Sequence, residues 1–93
     1  MNKLFFYVVK DTYSADGSKS SEIYQDKFLD KMGLTMKWLL ADLASQGKND
    51  VNLAFNAASL LCYVMKNKAT NTEEHYEIRW AKSVEEARQK ISI

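Results

Sequence analysis

Residues 21–47 read SEIYQDKFLDKMGLTMKWLLADLASQG, and the reading of this stretch decides the fold. Its apolar residues fall at Tyr24, Phe28, Met32, Met36, Leu39 and Leu43, at spacings of three or four. On a helix of 3.6 residues per turn those positions make one stripe. Gly33 interrupts it. Glycine is a poor interior helix residue but a favoured left-handed stop, and Leu34 could fold back over Phe28 or Leu29. Thr35 suits the cap of a second helix ending near Gly47. The spacing therefore predicts helices over 21–32 and 35–46, with the rest of the chain covering their apolar stripe.

Outward from that pair, residues 3–10 are aromatic and β-branched on both faces, which predicts a strand covered on both sides. Residues 11–20 read as a loop, with Asp16 and Gly17 at its turn. A rival reading makes that turn the bend of a hairpin whose second strand starts at Ser21, but Tyr24 and Phe28 are spaced for a helix. From residue 50 to 66 the polar positions Asn52, Asn56, Ser59, Tyr63 and Lys66 recur at gaps of three and four, the narrow polar strip of a mostly buried helix capped by Asp50. The competing reading makes 51–66 a strand hairpin, giving a four-stranded antiparallel sheet with two helical segments. Residues 74–82 alternate cleanly, with Tyr76, Ile78 and Trp80 on one face and His75, Glu77 and Arg79 on the other, as in a half-buried strand. Ser83 followed three residues later by Glu86 is a capping box, opening a helix over 83–91.

The expected fold class is α+β: a small sheet of strands 3–10 and 74–82 packed with helices 21–32, 35–46, 50–66 and 83–91, within one domain over 1–93. Two strands alone are marginal, so they must pack on helices or extend across a dimer.

Thirteen basic against twelve acidic residues leave a net charge of +1, too little to draw nucleic acid or anionic lipid. Only Arg79 and Arg88 are arginines, so bidentate recognition of phosphate or guanine is thinly provided for. The six apolar residues after Lys3 are too few for a signal peptide, and no run approaches the roughly 20 needed to span a bilayer. Cys62 is the only cysteine, which excludes an intrachain disulfide and leaves the cytoplasm as the expected compartment.

Chemistry is sparse. One His and one Cys do not make a common zinc site, and the glycines are too scattered for a phosphate loop. His75 among Glu74, Glu77 and Arg79 reads as a surface histidine, and Cys62 within an apolar run reads as a small buried hydrophobe. No catalytic, cofactor or metal residues are assigned. The junction at Gly33 has the outline of a helix-turn-helix over 25–46, but its second helix would offer phosphate only Lys37 and set Asp42 against it. Trp38, at one edge of the apolar stripe, reads first as a core residue and, in the alternative, as an anchor for a protein partner; Tyr13, Lys37, His75 and Arg79 complete the candidate contacts. By elimination the expected function is a non-catalytic protein–protein interaction module, an inhibitor, adaptor or regulator. Its partner would be another protein or a second copy. In size it matches small host-directed proteins of phages and mobile elements. A DNA-binding regulator is the alternative.

Overall fold

In the computed structural model the described residues are 3–47, 52–56, 59–67 and 71–91, with side chains described in 3–47 and 71–91. The strands are β1 (Phe5–Tyr13), β2 (Lys19–Ile23), β3 (Asn52–Asn56), β4 (Ser59–Asn67) and β5 (Thr72–Ala81). The helices are α1 (Met32–Ser45) and α2 (Val84–Ile91), and a single 3-10 turn covers Tyr24–Asp26. All neighbours in the sheet are antiparallel, in the order β2-β1-β5-β4-β3. The fold is α+β, as the sequence implies.

The centre of the sheet joins the first strand to the last, in register from Phe5 opposite Ala81 to Tyr13 opposite Glu73. Alternation along β1 sends Val8 to one face and Tyr7 and Val9 to the other, and all three are buried. On the first face Val8, Tyr76 and Ile78 pack with Tyr24 and with Leu39 and Leu43 of α1. On the second, Tyr7, Val9 and Ala81 pack with Ala87 of α2, with Ile23, Phe28 and Ile91 at the margin. The two helices thus cover opposite faces, which is why β1 is apolar on both sides. Trp80, expected inward with Tyr76 and Ile78, is 49% exposed and carries Lys90 Nζ 5.6 Å above its ring.

Three expectations are corrected. The helix over 21–32 does not form. Lys19–Ile23 instead pairs with β1, from Val9 opposite Ile23 to Tyr13 opposite Lys19. The hairpin bend uses Gly17 at φ +88°, and Ser18 N donates to Asp16 Oδ1 at 2.9 Å. Gln25 and Asp26 then take left-handed φ values of 56° and 49°, which stop any helix. The turn sends Tyr24 to the α1 core and Phe28 to the α2 core, so two residues that read as one stripe serve opposite faces. Leu29 returns to β1 by paired bonds with Phe6, N–O 2.7 and 2.9 Å. With a single 3-10 turn in place of a first α-helix, the helix-turn-helix outline over 25–46 is absent.

The second correction concerns Gly33, which lies inside α1 rather than ending a helix before it. The cap position is Lys31, extended and without a side-chain cap bond. Thr35 is fully buried, and its hydroxyl donates back to Lys31 O at 2.8 Å. Gly47, at φ +75°, follows the helix end as expected.

Third, the helix over 50–66 gives way to β3 and β4. β4 pairs with β5 from Cys62 opposite Glu77 to Asn67 opposite Thr72. The ladder with β4 satisfies the second row of β5 backbone groups, and this pairing outweighs the helical period. The hairpin of the competing reading is therefore present, but the sheet has five strands rather than four because β2 belongs to it. The expected cap at Asp50 lies outside the described residues, as do residues 57–58, where the competing reading joins its two strands, and the side chains of β3 and β4, Cys62 included.

The helix over 83–91 begins as read. Glu86 N donates to Ser83 Oγ at 3.1 Å, and Glu86 Oε2 accepts from the backbone of Lys82 at 2.9 Å.

Candidate interaction surface

α1 supplies the surface because two of its leucines lie outside the stripe that packs on the sheet. Met32, Met36, Leu39 and Leu43 turn to the core, while Leu34 and Leu40 stay exposed on either side of Lys37. The inward side is Thr35, Leu39 and Leu43, all buried. The outward side runs through Gly33, Leu34, Lys37, Leu40, Ala41 and Ala44, all exposed. Leu34 is 48% and Leu40 43% exposed, two of the large hydrophobic side chains that the fold leaves in water. They stand about 9 Å apart along the axis, with Lys37 midway.

One flank of this surface is rigidly held. Tyr24 Oη donates to Asp42 Oδ2 at 2.5 Å, and Gln46 Nε2 donates to both, each at 2.8 Å. Gln25 Nε2 adds a bond to Asp42 at 3.0 Å. Burial, and then the hydrogen bond to the Asp42 carboxylate, push the Tyr24 hydroxyl above its ordinary pKa. Beneath, Tyr76 is fully buried and donates to Glu74 Oε2 at 2.6 Å, while Lys10 Nζ lies 3.8 Å from Glu74 and 3.9 Å from Glu22. The bonds at Asp42 tie α1 to the turn at Tyr24 and Gln25, and the Lys10 pairs tie β1 to β2 and β5 beneath it.

The residues singled out from sequence divide between two places. Lys37 is on the outward side of α1. Trp38 is half-buried at its edge, 5.8 Å from the Tyr24 ring, with Lys27 Nζ 4.8 Å from its own ring. Tyr13, His75 and Arg79 lie on the opposite face of the sheet. Tyr13 ends β1 rather than sitting in a loop, and its ring meets His75 edge-on at 4.8 Å. His75 Nε2 is 2.7 Å from Glu73 Oε1. Arg79 grips Glu77 at 3.1 and 3.3 Å, which holds it protonated. The structure does not unite the five into one patch. Leu34 and Leu40 were not among the candidate contacts, although their positions off the apolar stripe are visible in the sequence.

The second face has a recess of about 190 Å³ whose polar lining is Asp11, Lys19, Ser21, Arg79 and Lys90. Each cation there has a carboxylate of its own: Lys19 faces Asp11 at 3.9 Å, Arg79 holds Glu77, and Lys90 lies 3.3 Å from Glu86. The recess is therefore close to charge-balanced and does not favour an anion. Among the described residues no three His, Cys, Asp or Glu side chains are grouped to hold a metal ion, and no helix is long and apolar enough to cross a membrane. Set against protein-family models, characterised proteins and solved structures, the chain matches none.

Proposed function

We propose that this is a binding protein without a catalytic role, acting as an inhibitor, adaptor or regulator by docking another protein on the outward side of α1. One observation carries the reading: Leu34 and Leu40 are half exposed on a helix whose other side is core. Covering them would recover about 1 kcal/mol each, since full burial of a leucine is worth about 1.5–3 kcal/mol. The bonds at Tyr24, Asp42 and Gln46 support it by fixing the surface in advance, which lowers the entropic cost of association. The lone cysteine suits a reducing compartment, so the proposed place of action is the cytoplasm.

The experiment compares affinity-tagged wild type with Leu40→Asp in extract of the cells that make the protein. Wild type should retain a protein in stoichiometric amount that Leu40→Asp does not retain, with both melting at the same temperature. Equal retention by the two would remove α1 from the docking role.

A further inference from the structure

Resting on that reading, we infer that the partner presents an amphipathic helix with a carboxylate between two apolar residues, and that it is not a second copy of this chain. The charge on the outward side of α1 decides between them. Lys37 is the single charged residue on that side, between Leu34 and Leu40. The one carboxylate of α1, Asp42, is engaged by Tyr24, Gln25 and Gln46 on the flank.

A twofold pairing of two copies must set each residue against its symmetry mate about some centre. Antiparallel α1 helices in which Leu34 meets Leu40 of the other copy are centred on residue 37, because 37 is midway between 34 and 40. Parallel helices set 37 against 37 as well. In either pairing that covers both leucines, two ammonium groups meet in an apolar contact with no carboxylate of this face to separate them, and like charges so placed select against the pair.

A partner from another protein has no such constraint. Its Asp or Glu, placed between residues that cover Leu34 and Leu40, meets Lys37 with opposite charge. Gly33, Ala41 and Ala44 leave room for the approaching backbone, and the exposed side as a whole matches one helix laid along another.

The probes are two synthetic helix-constrained peptides, identical in their leucines and differing only in Glu or Lys at the position between them. Their binding is measured by fluorescence anisotropy, with the molar mass of the unliganded protein by light scattering. The protein should be monomeric. The Glu peptide should bind at least about tenfold more tightly than the Lys peptide, a difference of about 1.4 kcal/mol. That order should invert for Lys37→Glu, shrink for Lys37→Gln, and both peptides should be lost to Leu40→Asp. Equal affinities would overturn the charge assignment while leaving α1 a docking surface. A dimer that Leu40→Asp splits would overturn the heterologous partner and likewise leave the surface standing. Binding of neither peptide would overturn the helical partner, and extract retention then judges the broader reading separately.

Discussion

The two sides of α1 carry the same residue type to opposite ends. Leu39 and Leu43 are almost wholly shielded by Val8, Tyr24, Tyr76 and Ile78, whereas Leu34 and Leu40, on the same fourteen-residue helix, stand nearly half in water. Helix propensity is identical for all four, so the contrast isolates tertiary packing. It also separates two reasons for keeping a leucine: the inner pair stabilises the fold, and the outer pair adds little to it. The outward side pairs those two leucines with glycine, alanine and the single charge of Lys37.

The sharpest way to break that contrast is truncation on the inner side. Leu39→Ala should cost about 2–5 kcal/mol in urea unfolding, since the tight contacts around it leave a cavity that cannot fully collapse. A cost under about 1 kcal/mol would mean that α1 is not seated on the sheet as described.

Next in size is the response to alkali. Tyr24 and Tyr76 both have hydroxyls raised from the ordinary value of 10.0, first by burial and then by hydrogen bonds to Asp42 and Glu74 carboxylates. Their folded pKa values exceed the unfolded one, so the associated stability is complete below pH 10 and is lost as pH climbs above it. Phenolate absorbance from these residues should appear together with loss of the folded circular dichroism. Titration of both near pH 10 in a folded protein would contradict their burial.

On the flank between the two sides, Tyr24→Phe removes the donor to Asp42 but leaves Gln25 and Gln46 bonded to it. The expected cost is about 1 kcal/mol by thermal or chemical unfolding, intermediate between inner and outer positions. A cost matching Leu39→Ala would make the flank part of the core.

Legibility followed how directly each segment's period reported its surroundings. β5 was readable because it is buried on one face at a time: Tyr76 and Ile78 alternate with Glu77 and Arg79. The start of α2 was readable because Ser83 and Glu86 act locally. Residues 24–28 were not, because left-handed Gln25 and Asp26 redirect the chain between two apolar faces, and spacing cannot show which core a residue joins. β4 was obscured for a different reason: its pairing is with β5, a separate strand that follows it, and a period read within one segment does not report a partner strand. At the candidate surface, Lys37 was singled out, but Trp38 drew the emphasis that belongs to Leu34 and Leu40. The stripe through Met36, Leu39 and Leu43 picked out the inner leucines, but Leu34 and Leu40, off that stripe, carried no signal of how far the fold would expose them.

The smallest expected change in stability, set beside the largest change in binding, gives the most direct test. Melting and partner retention should be measured on one preparation of Leu40→Asp. The outcome expected is a melting temperature within about 4 °C of wild type, corresponding to about 0.5 kcal/mol, with the bound protein gone. Retained partner, or a fall in melting temperature as deep as that of Leu39→Ala, would contradict the assignment of Leu40 to a docking surface.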